Sequence, residues 1–326
     1  WDHQVYKALE AGYRFGLESL SEFLPDIKCE LVFSGRQLQF RPAVEELRTK
    51  YYKEMKKFIN MPNAFEGFGN KDVYKKMPDL NSSSLIHVYE KAEVLFKRLL
   101  ALKKSLNSWV YLGCVPDIFD FVETRVTTVP EWEVNFKMLK QRRQMLDKLS
   151  DFHKIDCISV SATPFKAAVQ DHLQNFGDAL LVSLRKSILS TLTTVETFLN
   201  ESMSFLGELP QTIEEIGLAK KEWQRIVEER GDIKSSIKRC NEMKRLLAGQ
   251  SGAAGTIDIA EVTQRLAQLP SQWENFDIAV EAFNDILEEA KNKMKEDMER
   301  QVIELNQEIA KFKIRWDAQK PQEMKE

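Results

Sequence analysis

The residue types that could do chemistry are present in this chain, but not at the spacings chemistry requires. Histidines stand at His3, His87, His153 and His172. No two share metal-ligand spacing, and the H-E-x-x-H pattern, which sets two imidazoles on one helix face around zinc, is absent. Glycines at Gly249, Gly252 and Gly255 invite comparison with a phosphate-cradling loop. That loop needs G-x-x-x-x-G-K-[S/T], because the lysine reaches the phosphates and the hydroxyl holds magnesium; no lysine follows here. There is no G-x-S-x-G elbow to present a nucleophilic serine. Carboxylates such as Glu228-Glu229 and Glu288-Glu289 sit in runs expected on solvated helix faces. Cys29, Cys114, Cys157 and Cys240 are scattered, with no C-x-x-C pair. They read as buried free thiols in a reducing compartment, neither a disulfide framework nor a zinc site. These residues predict no catalytic group, no metal and no cofactor.

Composition narrows the remaining classes. The 326 residues suggest about two folding units at ~150 residues each. Apolar residues make up 43% and charged residues 30%, enough for packed cores with a heavily solvated exterior. A net charge of −3 gives no global basic field for nucleic acid or anionic lipid. The basic pairs Lys103-Lys104, Arg142-Arg143 and Lys220-Lys221 are too short to form a nucleic-acid-binding stripe. No apolar run reaches 18 residues, so no membrane-inserted helix is expected. The chain opens on Trp1 with neither initiator Met nor signal peptide, which reads as an excerpt of a longer polypeptide.

The periodicities predict a mainly α protein: an elongated stack of helical bundles with long antiparallel helices and one small β-hairpin in the first half. Asp2–Phe23 has helical spacing through Val5, Leu9, Tyr13 and Leu17, and Pro25 ends it. Glu30–Phe33 and Gln37–Phe40 flank Ser34-Gly35-Arg36 as a hairpin. Pro42 opens a helix over Ala43–Asn60. Met61–Asn81, broken by Pro62, Gly67, Gly69 and Pro78, reads as a loop and as the partner surface of the first half. Its aromatics Phe65, Phe68 and Tyr74 are the candidate partner-contact residues, expected to be exposed. Ser83–Trp109 is helical, Thr128 and Glu131 have capping-box spacing ahead of a helix to Leu149, and Ile155–Val160 is a short β-like run.

The second half is more regular. Phe165, Val169, Leu173, Phe176, Leu180, Leu184, Ile188, Leu192, Val195 and Leu199 step by three or four for ten positions. A second arm runs from Gln211 to Leu247, Ala248–Thr256 reads as a flexible turn, and a last arm from Asp258 to Lys320 is interrupted or kinked at Pro270. Trp109, Trp132, Trp223, Trp273 and Trp316 fall on predicted inner faces. The expected units are 1–125, a bundle with the hairpin and irregular loop; 126–207, a helical bundle; and 208–326, long helical arms. An apolar-Pro start with a following aromatic recurs at Val129–Phe136 and Leu269–Phe276, either an echo of successive bundles or the ordinary liking of helix starts for proline.

Four stretches, in order, resemble the tail of dynein heavy chains. They are Leu38–Arg48 with Tyr51-Tyr52 and Phe58–Pro62; Glu131–Lys140; Leu209–Lys221; and Phe312–Asp317 with Lys320-Pro321. The wording is similar to the cytoplasmic class that drives retrograde intraflagellar transport. The resemblance implies a non-catalytic segment whose ATPase modules and linker lie outside it. It further implies as partners a dynein light intermediate chain, WD-repeat intermediate chains, a second heavy chain and intraflagellar transport trains, in cytoplasm, cytoskeleton and cilium. The competing reading is a spectrin-like helical-repeat scaffold, which accounts for the later arms but not for the hairpin.

Overall fold

The computed structural model describes residues 1–34, 37–65, 71–113, 117–210, 212–250 and 259–319. Among them are eleven α-helices and four strands, so the chain is mainly α, as the periodicities predict. Two compact units divide it, Trp1–Leu180 and Leu181–Glu326, and the boundary falls inside one long helix.

The first unit begins with α1 (Asp2–Glu18) and α2 (Leu20–Phe23), separated at Ser19 where one continuous helix was expected. Strands β1 (Ile27–Ser34) and β2 (Gln37–Arg41) pair antiparallel with Leu31 opposite Phe40. The expected turn residues Gly35 and Arg36 lie outside the described residues. Helix α3 (Val44–Ile59) follows, then a 3-10 turn (Met61–Phe65), α4 (Lys71–Lys75), α5 (Met77–Leu80) and α6 (Ser82–Ser105). A 3-10 stretch (Asn107–Gly113) leads to α7 (Ile118–Arg125) and α8 (Val129–Asp147). Where one short β-like run was expected, β3 (Phe152–Ile155) and β4 (Ile158–Ser161) form a second hairpin. Asp156 at its turn has φ of 51°, a left-handed conformation that Asp tolerates better than most residues.

The two hairpins join into one sheet of order β2-β1-β4-β3, with β1 and β4 parallel and Cys29 beside Val160. One sheet face carries Cys29, Leu31, Leu38, Phe40, Ile158 and Val160 into the core. α3 and α6 cross in the same core through the Tyr51-Tyr52 pair. The Tyr51 ring meets Phe96 edge-on at 5.6 Å, and the Tyr52 hydroxyl donates to Glu93 at 2.9 Å. Arg48 forks onto both Glu93 oxygens at 3.4 Å and lies 4.9 Å over the Phe96 ring. Basic residues that read as solvated are used in packing: Arg142 lies over Trp109 and Tyr111, and Arg143 donates to Gln174 at 2.9 Å.

Helix α9 (Thr163–Leu206) has 44 residues and realises the ten-position stripe. Its first part, from Phe165 to Leu180, packs within the first unit, and its later part builds the second unit with α10 (Ile213–Gln250) and α11 (Ala260–Gln319). α10 opens on a reciprocal cap: Thr212 N–H donates to Glu215 and Glu215 N–H donates to the Thr212 hydroxyl, both at 3.2 Å. The Phe198 and Phe276 rings are 5.6 Å apart and Phe205 and Phe283 5.4 Å, so α9 and α11 run parallel. Trp223 Nε1 donates to the Val280 carbonyl at 3.0 Å and Arg230 pairs with Asp277 at 2.8 Å, so α10 runs antiparallel to α11. A forked Arg265–Glu196 pair at 2.6 and 2.9 Å ties α11 to α9. α11 passes through Pro270 as one helix of 60 residues, without the interruption the sequence suggested. Most of the expected turn, residues 251–256, lies outside the described residues.

Candidate functional site

Two of the residues singled out in the sequence as partner contacts, Phe65 and Tyr74, lie together in the first unit, though in altered roles. Tyr74 is 6% exposed: its ring lies 6.1 Å from Phe65 and 6.0 Å from Tyr6, inside the core. The expectation of an exposed loop therefore needs correcting. Pro62, Tyr74, Met77 and Asn81 are all buried, and short helices occupy most of Met61–Asn81. Prolines there shorten helices without abolishing them, and the Asn81 amide closes α5 by donating to the Met77 carbonyl at 2.9 Å. Phe68 lies outside the described residues.

Phe65, half-buried, lines an apolar groove of about 340 Å³ between α1, the end of α3 and the 3-10 turn. The groove is built by small residues on one side. Ala8, Gly12 and Gly16 are four apart on α1 and so share a face. At Gly16 a Cβ would sit 2.4 Å from the Phe58 ring, so the glycine is what lets α3 approach. At Gly12 a Cβ would meet nothing within 4 Å, so that position is open floor. The Tyr13 and Phe58 rings stack at 6.1 Å, and the Tyr13 hydroxyl donates to the Ile59 carbonyl at 3.1 Å, satisfying an acceptor at the end of α3. Burial pushes the Tyr13 phenol up to about 12, so it stays a donor at any physiological pH. Phe15 and Phe23, 63% and 61% exposed, and Met61 form the rim. An unpaired apolar trough with aromatic walls can bury a partner's side chains; it offers no group that could activate a nucleophile or move a proton.

The sequence missed α1's share of this groove. The signal was present in Gly12 and Gly16 at i, i+4, a spacing that leaves a smooth helix face.

The remaining chemistry-bearing residues stay apart. His87 lies beside Glu90 on α6, His153 is on β3, and His172 packs edge-on against Phe33 at 5.6 Å. Among the described residues no three His, Cys, Asp or Glu side chains gather where they could hold a metal ion. Cys29, Cys157 and Cys240 are free and buried, and burial raises the first two thiols to about 11, away from the thiolate form a nucleophile needs. Cys114 lies outside the described residues. No helix among them is long and apolar enough to cross a membrane.

With bundle, sheet and groove in view, comparison with known proteins defines the class: the chain is homologous to dynein heavy chains. The family description "Dynein axonemal heavy chain 2/5/8 coiled-coil" matches residues 179–301, which contain all of α9's later part, all of α10 and most of α11. Over 98% of its length the chain is homologous to cytoplasmic dynein 2 heavy chain 1. It is 40% identical to that of Tripneustes gratilla over 324 residues, 36% to that of Homo sapiens over 324, and 30% to that of Chlamydomonas reinhardtii over 326. It spans 7–8% of the length of these relatives.

Proposed function

We propose that this chain is a non-catalytic tail segment of a microtubule motor heavy chain, one that scaffolds accessory chains and transmits force between the cargo end and the motor during ciliary retrograde transport. The observation that carries the reading is homology along 98% of the chain to dynein 2 heavy chains. The architecture suits the task. Close-packed helical cores deform little under load, and each of the two compact units has such a core. A three-helix repeat of the spectrin kind gives no place to the four-stranded sheet, which counts against the scaffold alternative.

In this reading the groove of Gly12, Phe15, Phe23 and Phe65 seats the dynein light intermediate chain. The WD-repeat intermediate chains, the second heavy chain and the transport trains bind the same heavy chain. The test is co-elution of the light intermediate chain with this chain on a sizing column, for the wild type and Gly12→Phe. A Cβ at position 12 meets nothing within 4 Å, and Gly12 lines the groove, so the substitution adds bulk there. Stoichiometric co-elution lost in the variant places the subunit in the groove; equal binding by both removes the groove from the interface.

A further inference from the structure

Along α11 the number of helical neighbours falls in steps. As far as Leu287 the core is built from three helices, with Phe205 of α9 against Phe283, and α10 joined by Lys220 to Glu288 at 3.6 Å. α9 then ends at Leu206, while α10 reaches back to Ile213. Past that point two helices enclose an open groove of about 700 Å³, floored by Ile213, Ile216, Met294, Met298 and Val302. This is the third-helix position of the bundle, left empty among the described residues where α9 stops. The floor continues beyond α10 as a seam. Met298, Val302, Leu305, Ile309, Phe312 and Trp316 are spaced 4-3-4-3-4, the a/d pattern of a helix that meets another helix, and each is 52–62% exposed. The seam spans ~27 Å at ~1.5 Å per residue.

We infer that one amphipathic helix, contributed by the same heavy chain from outside these 326 residues, lies in this groove and along this seam. The inference rests on the heavy-chain reading above. A helix is the shape that fits, because two helices already fix the flanks and the vacancy prolongs the line of a third. The same polypeptide is the source of that helix, since relatives matching 98% of this chain are matched over only 7–8% of their own length. A tethered helix also arrives at high effective concentration, which a seam of under three heptads needs, because short helices are marginal alone. The flanks specify its charges. The seam starts beside Glu299 and Glu308 and ends beside Lys313 and Arg315, so the incoming helix carries bases opposite the first pair and acids opposite the second.

The test places the photo-crosslinker benzoyl-phenylalanine at Leu305 in the full-length heavy chain, purified with whatever subunits accompany it, and maps the product by gel and peptide mass. The expected result is a band at single-chain mass whose crosslinked peptide lies outside these 326 residues in the same sequence. A band at twice the chain mass means a second copy; a band at chain-plus-subunit mass means another protein; a peptide confined to these residues, or no crosslink, means an unfilled seam. Each of these overturns the inference. Whether dynein accessory chains are present in the same preparation reports separately on the heavy-chain reading.

Discussion

Gly12 and Gly16 are four residues apart on α1, yet alanine should act oppositely at the two sites. A helix-interior glycine carries excess unfolded-chain entropy, so Gly12→Ala, whose Cβ meets nothing, is expected to stabilise by ~0.5–1 kcal/mol. At Gly16 the new Cβ must displace the Phe58 ring from its stack on Tyr13, and a loss of ~1–3 kcal/mol is expected. Urea midpoints of the two variants check this, and a Gly16→Ala protein as stable as Gly12→Ala would show the ring is free to move. Glu131 offers a pH-dependent case. Its carboxylate accepts the Thr127 and Thr128 N–H groups at 2.8 and 2.9 Å, and these bonds hold its pKa below the ordinary 4.5. A depressed folded pKa contributes stability that is complete above the unfolded value and lost as pH falls through the folded one. Glu131→Gln should therefore melt below the wild type at pH 7, with the gap closing below pH 4.5. A gap independent of pH between 7 and 3 would show that the charge does not matter.

At the scale of elements, legibility followed the range of the cause. The α9 stripe and the Thr128–Glu131 cap are local patterns, and both stand in the structure. The pairing of β1 with β4 is not local. The Ser159 hydroxyl bonds Asp26 across 133 residues, and no window of sequence contains that contact. Tyr74 read as exposed because its neighbours are punctuated by Gly and Pro, whereas the cause of its burial is the Tyr6 and Phe65 rings. Proline 270 was a true signal, but it does not end the helix: α11 continues through a residue that removes one backbone donor and crowds the Leu266 carbonyl. Pro270 is exposed, so its ring contributes little packing. Pro270→Ala is expected to stabilise the second unit by ~1–3 kcal/mol, read as a raised unfolding midpoint. A lowered midpoint would mean the proline sets a bend the bundle requires.

At the scale of the whole chain, the second unit predicts a gradient of backbone protection along one helix. From Val262 to Leu287 the α11 amides belong to a packed core, tied by the Arg265–Glu196 fork and the Trp223–Val280 bond. From 303 to 319 every residue of the helix is exposed, and Trp316, expected on an inner face, is 58% exposed. Isolated helices shorter than ~12–15 residues are marginal in water and the stretch 303–319 is little longer, while surface pairs such as Arg300–Asp297 add only ~0.3 kcal/mol each. Local opening then limits exchange, and opening free energy runs from near zero in unpacked helix to the global value in the core. Hydrogen exchange on the isolated chain should show slow amides at 262–287, intermediate ones beside α10, and amides at 303–319 faster by orders of magnitude. In the full-length heavy chain the last group should become as slow as the first, since a helix seated on Leu305, Ile309 and Phe312 couples their opening to the bundle. Fast exchange at 303–319 in both settings would leave the seam unfilled, whereas slow exchange already in the isolated chain would mean a second copy covers it.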